Sequence, residues 1–403
     1  MNHSGNDKYG QQIIAVIEKA KKRFEVIPDE KEVLMNNLSF TYTRTRLFSG
    51  YDGTTCKVCP AIMQDGGNNA YMTWGMLLLN SCDVCKKSFV SKSTDGGQTF
   101  GNPTPLAPIE TMENGIRSSC GFTPYYNRYH KKWLGIGSRT YYENDKIPME
   151  IAGISIGDPV FTFFDPERGD YDPEAVRPIP VPFDTVCAFP HGTVLEYENG
   201  DMLLAFYVCT REMPQAGVLT VRYALTEDGM QIVRAGTLLR GDGYARGFCE
   251  PTVSELHGTY YLTIRTDEIG LLSASSDGYT FSKPEPWHWV DGSVLENYNT
   301  MQRWVRSPDG LFLVYTRRGA HNDHVFRHRA PLFMARFDEK RLCLERDTEV
   351  ILVPEMGARL GNFFVTEVSE RETWVSAAEW MQPEGCERYG SDNSIWIAKI
   401  RWN

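Results

Sequence analysis

The sequence lacks the features that define membrane proteins, secreted proteins and nucleic-acid-binding proteins. No run of about 18 apolar residues occurs, so we predict no transmembrane helix and no membrane partner. Residues 1–24 contain no apolar core of the signal-peptide kind, which favours a cytoplasmic protein. The formal net charge of the 403 residues is −10, and this acidic balance argues against nucleic acid as a partner.

The ten cysteines offer one candidate metal site. Cys56-Lys57-Val58-Cys59 and Cys82-Asp83-Val84-Cys85 are two C-x-x-C pairs whose separation is close to that of a zinc ribbon. Both pairs lie in a segment with strand character, which a zinc ribbon would replace. We therefore favour reduced thiols in the cytosol and predict no metal and no other cofactor, with zinc as the open alternative.

The first residues have a different pattern from the rest of the chain. Ile13, Ile14, Val16, Ile17 and Ala20 lie beside a group of lysines and predict a short amphipathic helix. We assign it to an N-terminal helical extension over residues 1–35, and we assign residues 36–403 to a single domain.

The most informative motif is the octapeptide Ser93–Phe100, which has the pattern S-x-D-x-G-x-T-F. Asp95 can accept main-chain hydrogen bonds across a turn, and Gly96 and Gly97 supply the backbone freedom that a tight turn needs. The aromatic ring of Phe100 is expected to pack beneath the turn. A copy one residue shorter occurs at 275–281, and a weaker echo occurs at 226–229.

Strand-like modules recur along the chain at a spacing of roughly 40 to 70 residues, which is typical of propeller blades. Their second strands are AYMTWGM, KWLGIGSRTYY, DMLLAFYVCTRE, YYLTIRTDE, LFLVYTRRG and TWVSAAEWM. They predict an all-β, six-bladed β-propeller. We expect the early segment LSFTYTRTRLF to pair with the C-terminal SDNSIWIAKIRW and close the ring, which removes exposed sheet edges.

Polar residues at the ends of these second strands are candidates for ligand binding: Trp74, Arg139, Arg211, Arg265, Arg317 or Arg318, and Glu379. Equivalent positions on successive blades would lie at equivalent places around one axis. A guanidinium offers a planar fork for carboxylate, sulfate or phosphate, so recurring arginines predict an anionic ligand. The alternative is that each arginine pairs with a carboxylate or carbonyl of a neighbouring blade.

A second set of candidates begins the innermost strands: His191, Glu250, Arg303 and Asn362. Apolar neighbours are expected to raise the pKa of Glu250 and suit it to acid–base catalysis, unless it forms a salt bridge, for example to Arg246. Glu250 and Glu379 are candidates for the paired carboxylates of a glycosidase. The polar loop at 317–332 adds His321, Asp323 and His324, for which a sugar-binding or acid–base role is favoured over metal binding.

Together, the Ser93–Phe100 motif, its copy at 275–281, the EPTVSEL…IRTDE unit and the HRAPLF unit resemble the sialidase (neuraminidase) superfamily, whose six-bladed propellers carry such Asp-box, or BNR, repeats. The resemblance implies that Arg265 and Arg329 hold a sugar carboxylate and that Glu250 is the family glutamate. It also implies Tyr298 as the family tyrosine and Asp52 as the acid/base. Lys57-Val58-Cys59-Pro60 stands where the family has its first arginine.

The sequence thus predicts an exo-acting, sialidase-like glycoside hydrolase for an acidic or otherwise unusual terminal sugar, rather than a standard sialidase. Arg265 and Arg329 would hold the substrate, Glu250 and Glu379 would supply the carboxylates, and His191 or His324 would assist. One alternative is a propeller-type polysaccharide lyase with a His or Tyr base. Another is a non-catalytic glycan-binding propeller that uses aromatic platforms such as Trp74. The oligomeric state stays open.

Overall fold

A computed structural model describes residues 31–35, 38–79, 85–143, 147–360 and 362–403. The predicted N-terminal amphipathic helix lies outside these residues. The last residues assigned to that extension form a strand, β1 (Lys31–Met35), which pairs with β2 (Leu38–Leu47). The described part of the chain contains no helical segment with the length and apolarity that crossing a membrane would require.

The chain continues through two antiparallel meanders. The strands of the first are β3 (Thr55–Gln64), β4 (Ala70–Leu78), β5 (Cys85–Ser93) and β6 (Thr104–Pro105). The second is centred on β8, β9 and β13; the strands of this region are β7 (Glu110–Glu113), β8 (Ile116–Asn127), β9 (Lys132–Glu143), β10 (Ile147–Pro148), β11 (Glu150–Ile151), β12 (Ile154–Ser155), β13 (Gly157–Asp165), β14 (Asp170–Tyr171) and β15 (Arg177–Pro178).

The remaining strands form four more meanders. The third contains β16 (Cys187–Glu196), β17 (Met202–Cys209), β18 (Gly217–Thr226) and β19 (Gly229–Ala235); the fourth contains β20 (Cys249–Leu256), β21 (Thr259–Arg265), β22 (Gly270–Ser275) and β23 (Glu285–Pro286). The fifth contains β24 (Arg303–Ser307), β25 (Gly310–Tyr315), β26 (Leu332–Asp338), β27 (Cys343–Leu344) and β28 (Val350–Val353); the sixth contains β29 (Phe364–Ser369), β30 (Glu372–Ala378) and β31 (Ile395–Trp402). Short 3₁₀ turns occur at Pro173–Ala175, Phe326–His328, Arg346–Thr348 and Cys386–Tyr389.

The meanders are arranged in a cycle. Strands of successive meanders contact one another: β16 contacts β20, β20 contacts β24, β24 contacts β29, β29 contacts β3 and β3 contacts β8. The second and third meanders meet through β9 and β13, both of which contact β16. Residues 40–47 of β2 pair antiparallel with the whole of β31, so the predicted pairing of the first and last segments is confirmed. The predicted all-β propeller class is confirmed; six blades, as a count, stays a prediction.

Some of the second strands are strongly apolar because they are covered on both faces. β17 and β25 are buried along nearly their whole length, whereas the outer strand β19 is exposed over most of its residues. Neighbouring sheets pack face to face through clusters of aromatic and aliphatic side chains, as sheets do in sandwiches. In one such cluster Trp287, Trp304 and Phe337 pack edge to face, with ring centroids 5.1–5.8 Å apart.

The Ser93–Phe100 motif forms the turn between β5 and β6. Ser93 Oγ donates to Asp95 at 2.7 Å, and Asp95 accepts the Thr99 main-chain N–H at 2.9 Å and its hydroxyl at 2.6 Å. Phe100 packs against the apolar cluster below. The shorter copy forms the equivalent turn between β22 and β23, where Asp277 accepts from the main chain of Thr280 at 2.8 Å. The two motifs therefore occupy the same place in two meanders.

Candidate active site

A cavity of about 1070 Å³ lies where β20 begins and β21 ends. Its described lining contains both positively and negatively charged side chains. The arginines are Arg246, Arg265, Arg327, Arg329 and Arg359, and the carboxylates are Glu150, Glu250, Asp267 and Glu384. Tyr207, Phe326 and Trp380 add aromatic surface. A concave site with convergent charged groups and aromatic walls is suited to a small polar ligand.

Glu250 is held in the cavity by an irregular start to its strand. It has a left-handed backbone, with φ 45°, and the pairing of β20 with β21 shifts register between Cys249 and Thr252. This bulge turns the side chain toward Arg265, whose Nη1 lies 2.6 Å from Oε1. The other oxygen, Oε2, is buried without a hydrogen-bond partner among the described residues. Arg265 therefore fixes one carboxylate oxygen, and the other is enclosed beside it.

The protonation state of Glu250 differs from the sequence-based expectation. Burial raises its pKa as predicted, but the positive charge of Arg265, with a contribution from Arg329, outweighs burial and lowers the pKa to about 2. The expected raised pKa is therefore wrong, because the salt-bridge partner is itself buried beside the carboxylate. Glu250 is ionised at neutral pH and can act as a base, a nucleophile or an electrostatic stabiliser, not as a general acid.

Arg265 and Arg329 lie side by side behind Glu250, and both are almost fully buried. Arg265 Nη2 donates to Asn299 Oδ1 at 2.7 Å, and Arg329 Nε donates to the Asn299 main-chain oxygen at 3.0 Å. Burial and the nearby Arg265 charge lower the pKa of Arg329 well below its ordinary value. The structure thus brings together Glu250, Arg265 and Arg329, and Asn362, another residue that the sequence analysis singled out, also lines the cavity.

Arg246 and Asp267 are charged groups of the cavity lining that the sequence analysis did not predict in this role. Arg246 forms a bidentate pair with Asp267, at 2.7 Å and 2.5 Å, rather than the suggested salt bridge to Glu250. The Arg246 hydrogen bond is the main cause of the lowered pKa of Asp267. Asp267 lies two residues after Arg265, the last residue of β21. Its position just beyond a strand end that was already a candidate could have identified it from the sequence.

Arg359 forms the opposite wall of the cavity. Its guanidinium stacks 3.9 Å from the Trp380 ring centroid and donates to Gln382 Oε1 at 2.5 Å. Gln382 in turn donates to the main-chain oxygen of Leu79 at 2.6 Å, which ties this wall to the first meander. No local pattern marks Arg359, because its partners lie on distant segments.

His191 and Arg303 lie beyond the cavity lining, next to Glu250. Arg303 is buried, donates through Nε to the Phe363 main-chain oxygen at 2.7 Å and through Nη1 to Thr193 Oγ1 at 2.7 Å. Burial lowers the pKa of Arg303 to about 10, against the opposing effect of Glu250. Burial also lowers the pKa of His191 to about 3, so its imidazole is neutral. Both residues therefore lie close enough to Glu250 to interact with it electrostatically.

The partly buried, neutral His191 predicts a loss of stability on mild acidification. The folded pKa is about 3 against an ordinary 6.5, so below about pH 6.5 the unfolded chain binds a proton that the folded chain does not. We expect the free energy of unfolding to fall between about pH 7 and pH 5, where Glu250 stays ionised, and to fall less in His191→Gln. Urea denaturation at both pH values measures this. The exposed His257→Gln is the control, and equal pH dependence in His191→Gln and wild type would contradict the prediction.

Glu379, the second predicted carboxylate, does not line the cavity. It is buried inside the sixth meander, where it accepts from Arg46 at 2.9 Å, from Trp396 Nε1 at 2.9 Å and from the main-chain N–H groups of Asp392 and Ser394 at 2.8 Å and 3.0 Å. The expected pairing with Glu250 is therefore wrong, because these donors already occupy both of its oxygens.

Glu379→Gln is expected to destabilise the fold by about 3 kcal/mol, because one amide oxygen cannot accept from all these donors and Arg46 keeps only the more exposed Asp392, 2.8 Å away, as a carboxylate partner. Urea denaturation measures the loss, with the exposed Glu285→Gln as control. A folded Glu379→Gln sample should retain its turnover number. A selective loss of turnover at unchanged stability would instead restore a catalytic role.

The other predicted residues lie elsewhere. Trp74 is stacked in the core between Phe48 and Phe89, with ring centroids 5.0 Å and 5.9 Å away, so it offers no platform to a glycan. Arg317 is paired with Glu349 at 2.6 Å, and Arg139 contacts Cys120 and Tyr141 within the second meander. Arg211 is exposed just after β17. Of the strand-end arginines, the structure brings Arg265 alone to the described cavity lining.

The remaining acid–base candidates have local partners. Asp52 caps its own turn by accepting from the main chain of Thr54 and Thr55 at 2.8 Å and 2.7 Å. His324 lies 3.0 Å from Glu355. Tyr298 and His328 share a hydrogen bond of 2.7 Å, and neither lines the cavity. The structure therefore does not bring Asp52, His324 or Tyr298 to Glu250.

The position of the missing first arginine is also resolved. Lys57 is buried and donates through Nζ to the Asn393 main-chain oxygen at 2.7 Å, away from the cavity lining. Burial lowers its pKa to about 8. Nearby, Cys56 is buried and Cys59 is exposed, whereas Cys82 lies outside the described residues. Within the described ranges no group of three or more potential metal ligands is found.

The comparisons with known proteins define the class of fold. The chain is similar to a protein of unknown function from Dyadobacter fermentans, at 14% identity over 94% of this chain and 100% of that one, with a TM-score of 0.57. It is similar to an α-L-arabinanase from Penicillium chrysogenum solved with arabinobiose, at 12% identity, 89% and 98% coverage and a TM-score of 0.52. It is also similar to an α-L-arabinofuranosidase from Fusarium graminearum, solved with an iminosugar inhibitor. The identity is 13% over 94% of this chain and 98% of that one, with a TM-score of 0.52.

These similarities show a propeller fold of the kind found in those glycosidases. No protein-family model matches the sequence, and no curated protein matches it. At such identities the shared feature is the fold, so the activity has to be argued from the site.

Proposed function

We propose that the protein is a sialidase-like glycoside hydrolase that acts on a terminal sugar bearing a carboxylate or another anionic group. The observation that carries this proposal is the imbalance of buried charge around the cavity. Arg265 and Arg329 are 6% and 3% exposed, and within the described lining the carboxylate in direct contact with this pair is Glu250, which lies 2.6 Å from Arg265. Buried charge without a counter-ion is costly, and an anionic ligand would supply that counter-charge.

The same geometry supports hydrolysis of a glycosidic bond. Glycosidases use a pair of carboxyl groups with different protonation states. Glu250 supplies the member that is ionised at neutral pH, and its side chain is partly exposed where it lines the cavity. Glu150 and Glu384 line the exposed part of the cavity and are candidates for the general acid. The glycosidases with the same fold support this class of reaction, and two of them were solved with sugar-like ligands.

The test separates the reaction classes by their products. Purified protein is incubated with oligosaccharides that end in a uronic or nonulosonic acid, and with neutral arabino-oligosaccharides. New reducing ends without ultraviolet absorbance would support hydrolysis, whereas absorbance of an unsaturated uronate would indicate a lyase. Binding of acidic glycans without either product would indicate a non-catalytic propeller. Cleavage of the neutral substrates alone would contradict the anionic specificity.

A further inference from the structure

Asn299 joins the two arginines that face the cavity, and sequence reasoning did not identify it. Its side-chain oxygen accepts from Arg265 Nη2 at 2.7 Å, while its main-chain oxygen accepts from Arg329 Nε at 3.0 Å. Arg329 Nη2 also donates to that main-chain oxygen. One residue therefore fixes the guanidinium groups of two different meanders.

Asn299 is itself held rigidly. Its main-chain N–H donates to the Thr266 main-chain oxygen at 2.9 Å, directly after the end of β21. The Thr266 hydroxyl closes the following turn by donating to the Ile269 oxygen at 2.7 Å. The backbone of Asn299 is left-handed, with φ 50°, a conformation that asparagine tolerates better than most residues. The residue thus has a defined position relative to Arg265.

The chemistry of the acceptors matters as much as their position. Both oxygens of Asn299 are neutral, so they orient the two guanidinium groups without cancelling their positive charge. A carboxylate at this position would also orient the guanidinium groups. Its negative charge, however, would neutralise part of the positive charge that we expect to attract an anionic ligand. The two arginines also repel each other at close range, which favours a fixed bridge between them.

We propose that Asn299 is a positioning residue that aligns Arg265 and Arg329 as a joint receptor for the anionic group of the substrate. This inference rests on the proposed function in that the anion is taken to belong to a sugar. It adds a specificity determinant: the uncharged amide at 299 keeps the site open to an external anion.

The variants Asn299→Asp and Asn299→Gly separate charge from geometry. Asn299→Asp keeps an acceptor for Arg265 and adds a competing negative charge, so KM for an acidic glycan should rise about 10- to 100-fold with kcat within a few-fold of wild type. Asn299→Gly keeps the left-handed backbone and the Arg329 contact but loses the side-chain acceptor, so its KM should rise less. Asn114→Asp is the control, because Asn114 has φ 51° in an exposed hairpin. An unchanged KM in both Asn299 variants would overturn the proposal.

A second readout does not depend on catalysis. Crystal structures of both variants and calorimetric titration with inorganic sulfate report on the arginine pair directly. We expect a displaced Arg265 guanidinium in Asn299→Gly and weaker sulfate binding in Asn299→Asp. If wild type cleaves no acidic glycan but these changes occur, the proposed function fails and the role of Asn299 stands. Unmoved guanidinium groups together with unchanged sulfate affinity would refute the role of Asn299 whatever the activity.

Discussion

Glu250→Gln is expected to lower kcat/KM for an acidic glycan by about 1,000-fold, because under the proposed function the substitution removes the ionised carboxylate that acts on the sugar. Glutamine has nearly the same shape and retains an oxygen for Arg265, whose Nη1 lies 2.6 Å from Glu250 Oε1. The loss should therefore appear mainly in kcat. Initial rates on the substrate identified for wild type measure it.

The matched control for this experiment is Glu268→Gln. Glu268 is exposed in the turn that follows Arg265 and does not line the cavity. Its substitution removes the same charge from the same region. Because salt screens an exposed charge at this distance, kcat/KM should stay within about two-fold of wild type. Equal losses in both variants would show a general charge effect. Full activity in Glu250→Gln would remove Glu250 from the mechanism.

The pH profile provides an independent check on Glu250. Its pKa of about 2 means that it stays ionised throughout the range in which the protein can be assayed. An acidic limb of kcat/KM between about pH 4 and pH 6 would therefore belong to another group. If such a limb moved in Glu250→Gln, the ionisation would have to be reassigned.

The sequence predicted most of the strand framework because each module carries its own local signal. The second strands, the pairing of β2 with β31 and the two aspartate-capped turns were all expected from apolar runs and turn residues. Glu250, Arg265 and Arg329 were also expected, through the resemblance of their surroundings to a known family. These features depend on residues that lie close together in the sequence.

The failed predictions depend on contacts between distant segments. Trp74 was placed at a strand end, but β4 continues to Leu78, so the ring lies in mid-strand within the core. Glu379 matched the repeat, yet its partner Arg46 comes from β2, more than 300 residues away. Arg359 and Asn299 have no motif, since their roles arise from the segments that converge on them. Repeat position therefore predicted backbone location better than it predicted what each side chain contacts.

A second large effect is expected on stability, at the contact between the first and sixth meanders. Gly97, in the turn between β5 and β6, has φ +77°, and a Cβ added there would lie 2.1 Å from Cη2 of Trp374. Trp374 belongs to β30 and is almost fully buried, and Lys399 of β31 donates to the Gly97 main-chain oxygen at 2.5 Å. This turn of the first meander is thus packed directly against the sixth.

Gly97→Ala is expected to lower the free energy of unfolding by about 2–5 kcal/mol, the sum of left-handed backbone strain and overpacking against Trp374. Gly96→Ala is a control one residue away: Gly96 has φ +70°, but no atom lies within 4 Å of its added Cβ. It should lower the free energy of unfolding only by the backbone strain of about 1–2 kcal/mol.

Urea denaturation of both variants measures the difference. Because the excess assigned to Gly97 comes from one aromatic ring, it should shrink in the double variant Gly97→Ala/Trp374→Leu relative to Trp374→Leu alone. Equal destabilisation by the two glycine substitutions would show that the turn does not depend on its contact with Trp374.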